Sequence, residues 1–178
     1  MDELQEFAKK HVTINEFENM KTQQGVIYEL IDGIVLMSRP SIEHQKILTS
    51  LSGELYQYLK DKVCKTFSEI EVKINNDILV PDISIICDSS KFTEQKYEGT
   101  PEIVVEILSP STMFNDFNIK SSKYMNAGVK EYWLVDPKAK TVIINDYVNK
   151  IMTTYEKSEV LKSTVFPDLE INLIDIFL

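Results

Sequence analysis

Three charged residues stand where charge is costly. Glu106 lies inside the run EIVVEIL, residues 102–108, a β-branched segment that reads as a central strand buried on both faces. A carboxylate there is destabilising unless it is paired, neutralised or bound to a cation. Asp82 has a similar setting, with Val80 and Pro81 before it and Ile83, Ile85 and Ile86 after it. Two neighbouring strands that each offer one carboxylate can bring acidic oxygens to a single hard cation. Mg²⁺ suits such a pair, taking one or two protein carboxylates and completing its octahedron with water. Lys120 recurs with Phe117, Tyr124 and Ala127 at spacings of three and four, which aims its ammonium inward from a helix.

Each of these has a plainer structural alternative. Glu106 could close a sheet-end salt bridge, Asp82 could serve turn chemistry, and Lys120 could snorkel or pair with Asp116 at i,i+4. His44, on the 44, 48, 51, 55 face of a long helix, could enter the same cavity or be a satisfied structural histidine. Glu29, in YELI, is equally open. Glu43 reads as a solvated first-turn acid that favours the helix dipole.

The elements that must position these residues follow from pattern. A short helix is expected between Phe7 and Met20 with Thr13 as N-cap. A hairpin is expected over residues 26–37, turning at Asp32-Gly33. Apolar residues at 47, 51, 55 and 59 predict a helix from Ser41 to Lys60. From Val63 the period changes to two, predicting an antiparallel strand pair that turns at Asn75-Asn76-Asp77. Its return strand, residues 78–87, carries Pro81, which marks a bulge or an edge. The polar loop 88–100 leads to the strand of Glu106, then a helix over 115–127 closed by Gly128, then strands EYWLVD and TVIINDY. The tail from Asn149 alternates short apolar groups with charges and predicts further strands. Helices interleaved with a mixed sheet give an α/β or α+β layout in one domain spanning residues 1–178.

Composition narrows the function classes. Hydrophobic residues make up 43% and charged residues 26% of the 178, an ordinary globular balance. No run approaches the roughly 20 apolar residues that cross a bilayer, and the start MDELQEFAKK is polar, so a soluble cytoplasmic protein is expected. Cys64 and Cys87 lie far apart without CxxC spacing and read as reduced core residues. The net charge of −9 opposes phosphate backbones at long range. It leaves a phosphodiesterase open, because a bound metal reverses the local sign.

Several separated blocks together resemble the Uma-two family of restriction-endonuclease-like proteins. They are Y-E-L-I-D-G at 28–33, P-S-x-E-H at 40–44, V-P-D-I-S-I-I-C-D at 80–88, Y-E-G-T-P-E-I-V-V-E-I-L-S-P-S-T at 97–112 and A-G-V-K-E-Y-W-L-V-D at 127–136. The resemblance implies the PD-(D/E)XK nuclease fold, a central mixed sheet flanked by helices, here with an added N-terminal hairpin. It implies that Asp82 and Glu106, with the backbone carbonyl of Ile107, hold Mg²⁺ or Mn²⁺ while a lysine assists the attacking water. The usual strand lysine is replaced by Leu108, and in this branch the following helix supplies it, as Lys120. Asp116 matches the family's helix aspartate, whereas Ile119 stands where an acidic residue is common. Glu29, His44 and Asp116 are then the expected supporting residues. The implied substrate is nucleic acid, DNA in the first instance, with a homodimer suggested by strands near the hairpin and tail. Two alternatives stand beside this reading: a module that keeps the fold without cleaving, and a hydrolase of a smaller phosphodiester.

Overall fold

The computed structural model describes residues 11–110 and 112–177. Helix α1 (Ile14–Glu18) opens on a capping box, with the Thr13 side chain accepting from Glu16 N and the Glu16 carboxylate accepting from Thr13 N. The expected helix 7–20 is thus shorter, and its part before residue 11 lies outside the described residues. Strands β1 (Ile27–Ile31) and β2 (Ile34–Ser38) form the expected hairpin. Asp32 and Gly33 have φ of 50° and 75°, the pair of left-handed residues that a type I′ turn requires. A Cβ on Gly33 would also stand 2.3 Å from His11 Nε2.

Helix α2 (Ile42–Leu59) begins at Ser41, whose hydroxyl accepts from His44 N, and buries Ile47, Leu48, Leu51, Leu55 and Leu59. Next come β3 (Lys65–Ser68), β4 (Val72–Ile74), β5 (Asp77–Leu79) and β6 (Ile83–Ile86). The two long strands expected here are each broken at the same level. Glu69 turns with φ 52° on one arm, and Pro81, which has no N–H to give a ladder, interrupts the other. The halves join different sheets: β4 and β5 extend the hairpin into a four-stranded sheet of order β2-β1-β5-β4, while β3 and β6 pair in a larger one. Asp82 sits at this seam between sheets.

Strand β7 (Ile103–Ile107) is followed by a π-helical turn (Asn115–Lys120), α3 (Ser121–Ala127), β8 (Glu131–Asp136), β9 (Thr141–Asp146), β10 (Ile151–Glu156), β11 (Val160–Lys162), β12 (Glu170–Asn172) and α4 (Leu173–Ile176). Gly128, at φ 92°, ends α3 with Gly128 N bonded to Met125 O and Val129 N to Tyr124 O. The six-stranded sheet runs β10-β9-β8-β7-β6-β3 and is antiparallel throughout except for β7–β8. That parallel pair needs a crossover, which the π-turn and α3 supply. The sheet is therefore mixed, and both faces are covered. Helices α2 and α4 pack on Ile83, Ile85, Ile103, Val105, Trp133 and Val135. The opposite face, with Ile86, Val104, Tyr132 and Leu134, packs on Tyr124 and on Ile31 and Leu79 of the smaller sheet.

One expectation is overturned. Cys64 and Cys87 are not reduced core residues; they are joined in a disulfide and only half-buried. Their separation of 23 residues hides the register, in which Lys65 faces Ile86 and the next positions outward are the two cysteines. Among the described residues no helix is long and apolar enough to cross a membrane.

Candidate active site

Seven residues singled out from sequence, Glu29, His44, Asp82, Glu106, Ile107, Asp116 and Lys120, line one cavity of about 250 Å³. They arrive from five directions: Glu29 from β1, His44 from the first turn of α2, Asp82 from the seam before β6, Glu106 and Ile107 from the end of β7, and Asp116 and Lys120 from the π-turn. The position of Glu106 follows from its neighbours. Strand alternation in a β7 buried on both faces gives its side chain to the side where α3 and the smaller sheet pack, and Val105 and Ile107 to the α2 side.

Lys120 is the hub. Its Nζ lies 2.9 Å from Glu29 Oε2, 3.1 Å from Glu106 Oε1 and 3.4 Å from Asp116 Oδ1. The sequence alternative of an i,i+4 pair with Asp116 is therefore present, but as one arm of three. Burial by itself would lower the lysine's pKa, yet the charges of Glu106, Glu29 and Asp116 outweigh it and hold the ammonium well above its ordinary range. Lys120 is thus a fixed cation. Phe117, expected on the same inward stripe, is 40% exposed, because the wide π-turn puts Asp116, Lys120 and Tyr124 inward in its place.

The carboxylates are held from behind. Glu29 Oε1 accepts from Val80 N at 2.9 Å. Asp82 Oδ2 accepts from Ile107 N at 2.5 Å, which ties the seam to the end of β7, and Asp82 Oδ1 meets His44 Nε2 at 3.0 Å. Tyr124 Oη donates to Glu106 Oε1 at 3.1 Å, and Tyr132 Oη to the Asp116 carbonyl at 3.0 Å. Burial pushes Glu106 well above the usual carboxylate range; Lys120 opposes this, and Asp116, Asp82 and Glu29 add to it. Burial raises Asp116 as well, again against Lys120. For His44, burial lowers the pKa, but the hydrogen bond and charge of Asp82 prevail and raise it.

Four carboxylates thus face one permanent cation and one histidine. His44 Nδ1 is buried without a hydrogen-bond partner, and the buried Asp116 Oδ1 faces Lys120 Nζ at 3.4 Å. Both the acidic excess and the depressed acidity of Glu106 suit an added hard cation, which would favour the ionised carboxylate. Among the described residues no three His, Cys, Asp or Glu side chains form a ready-made cage. An ion in this cavity would rest on one or two carboxylates and keep its waters, the manner in which Mg²⁺ binds.

Two residues without a role in the sequence reading belong here. Arg39, the one arginine of the chain, lines the cavity mouth beside Pro40 and is exposed, its Nη2 reaching Gln23 Oε1 at 3.3 Å. Its uniqueness, adjoining the P-S-x-E-H block, was the available signal. Tyr124 was placed on the Lys120 stripe, but its hydroxyl contact with Glu106 depends on the distance between α3 and β7, which no local pattern carries.

A family model described as "Uma2: Putative restriction endonuclease" matches residues 14–174. An uncharacterized protein of Synechocystis sp. is 28% identical over 155 residues, covering 83% of this chain and 82% of its own. The fold is also that of a crystal structure described as a "putative nuclease belonging to DUF820" from Anabaena variabilis, with a TM-score of 0.79 at 20% identity, covering 93% of this chain and 97% of the other.

Proposed function

Because the chain belongs to the Uma2 family, we propose that it is a single-domain, metal-dependent endonuclease that hydrolyses phosphodiester bonds in DNA. The observation that carries this reading is the cavity, lined also by Asp82, in which Glu29, Glu106 and Asp116 gather around the ammonium of Lys120. Asp82 and Glu106, with the Ile107 carbonyl, would hold Mg²⁺ or Mn²⁺. When bound, the ion supplies Lewis acidity to the scissile phosphate.

The chain's own groups do the rest. Lys120 lies beside Glu29, Glu106 and Asp116, which favour its ammonium form, and it acts as a donor. It orients the attacking water or neutralises charge that develops on the non-bridging oxygens. Glu29 and Asp116 hold that ammonium in place, Tyr124 fixes the Glu106 carboxylate, and His44 positions Asp82. Arg39 at the mouth suits a flanking phosphate. A second copy of the chain would give the two sites that duplex cutting needs.

Asp82→Ala and Lys120→Ala should each abolish Mn²⁺-dependent cleavage of duplex DNA while circular dichroism shows a folded chain. Cleavage retained in both variants sinks the assignment. One observation favours a second reading, a fold kept for binding without cleavage. The Lys120 ion pairs and the His44–Asp82 contact already neutralise part of the acidic cluster internally. Calorimetric titration separates the two: the nuclease should bind Mn²⁺ and lose it in Glu106→Gln, whereas a binding module should show no such site.

A further inference from the structure

Of the phenylalanines among the described residues, only Phe114 and Phe117 are exposed, at 72% and 40%, and both sit on the segment that delivers Asp116 and Lys120 to the cavity. Thr112, Asp116 and Lys120 line the cavity at intervals of four, as one stripe of that segment. Met113 and Phe117 each follow one of these residues, so they lie roughly a quarter turn round the axis, as the neighbouring stripe. Phe114 stands three residues before Phe117 and widens it. Met113 is 39% exposed as well, and neither ring stacks on another aromatic side chain among the described residues. A lone exposed apolar side chain is ordinary. Three of them bordering the stripe that carries Lys120 mark a contact surface.

We propose that Phe117, extended by Phe114, is a stacking platform for an unpaired nucleobase beside the scissile phosphate, so that the cavity takes its strand unpaired; this rests on the nuclease reading of the cavity. The substrate class is then single-stranded DNA, or a duplex that is already open at the point of cutting. Paired and stacked bases inside a duplex have both faces covered, whereas an unpaired base has a face to lay on a phenyl ring.

Charge and shape favour this occupant. A chain of net charge −9 with a single arginine gains little from phosphate contacts, and base stacking supplies affinity that does not depend on positive surface. Glu106 and Lys120 are buried, so a reacting phosphate must enter a cavity of about 250 Å³. A flexible single strand can bend into that space, whereas a duplex holds its phosphates on the outside of a stiff, wide cylinder. The connection from β2 to α2 supplies Arg39 to the cavity lining, and the connection after β7 supplies the rings beside it. The strand therefore meets a cation for its backbone and an aromatic surface for its bases.

Fluorescence anisotropy with Ca²⁺ in place of Mn²⁺ reads binding without cleavage. A single-stranded oligonucleotide should bind about tenfold or more tighter than the same sequence closed as a duplex. Phe117→Ala should remove roughly tenfold of the single-strand affinity, Phe117→Tyr should restore it and Phe117→Leu should not. Abasic sites placed one at a time around the position cut in Mn²⁺ identify the stacked base: at one position the abasic site and Phe117→Ala together should cost no more than either alone. Cleavage as fast on closed duplex as on single strand, and unchanged in Phe117→Ala, overturns the proposal and leaves the nuclease reading standing. A single-strand preference that survives in the Phe114→Ala, Phe117→Ala double variant overturns it equally, and self-association that Phe117→Ala disperses assigns the rings to a second copy instead. A parent chain that cleaves no nucleic acid removes both readings.

Discussion

Removing Lys120 leaves Glu29, Glu106 and Asp116 crowded in a buried space without their shared cation. Lys120→Met should therefore cost about 3–5 kcal/mol of unfolding free energy at neutral pH. Added Mn²⁺ should recover more stability in that variant than in the parent, because the ion replaces the missing charge; equal metal responses in denaturant titrations would contradict this. Asp146 offers a test outside the cavity. Burial alone would raise its pKa, but bonds from Asn149 N, Asn149 Nδ2, Thr164 Oγ1 and Val148 N prevail and hold it below its ordinary value. With a depressed folded-state pKa, its contribution is complete above the unfolded value of about 3.9 and disappears as pH falls through the lower folded value. Asp146→Asn should lose about 1–3 kcal/mol at pH 7, with the gap to the parent closing below about pH 4. Residue-level reading has a limit, and Glu131 marks it. It is as deeply buried in an apolar strand as Glu106, yet it takes bonds from Trp133 Nε1, Ser163 Oγ, Thr164 N, Thr164 Oγ1 and Val165 N, and it needs no cation. The anomaly of a strand acid was legible; whether its partners are a loop or an ion was not, because all of them but Trp133 come from a loop 32 to 34 residues away.

Among elements, the hairpin at Asp32-Gly33, helix α2 and the buried β7 were readable because each is dictated by its own turn residues or apolar period. Two things escaped for a common reason. The strand pair 63–87 divides between two sheets, and the helix at 115 opens as a π-turn, and both are decided by what packs against the segment. The disulfide belongs at this scale too, since it clamps β3 to β6 just beyond their last ladder pair. Closing a loop of 23 residues limits the unfolded chain by about 3 kcal/mol in the chain-entropy account. Reduction, or the Cys64→Ser and Cys87→Ser double variant, should lower Tm by about 5–10 °C. A scanning calorimeter that sees no change would show the bond to be idle.

At the scale of the whole molecule, a net charge of −9 and a single arginine predict an unusual salt response. A protein with few phosphate contacts releases few counterions, so its affinity for duplex DNA should fall only gently with KCl. The divalent ion should dominate: in a fluorescence anisotropy titration, Ca²⁺ should strengthen binding where EDTA abolishes it. A steep salt slope in EDTA would point instead to a local basic surface that the net charge conceals. The π-turn reaches further than any single contact in the cavity. It holds one residue more per turn than the α-helix that follows it, so the alignment of Asp116 with Lys120 depends on chain length as well as on residue type. Deleting Asn118 would keep every charged group of the cavity and still move Asp116 out of step. An insertion or deletion within this turn would therefore change the site while every one of its charged residues stayed in the sequence.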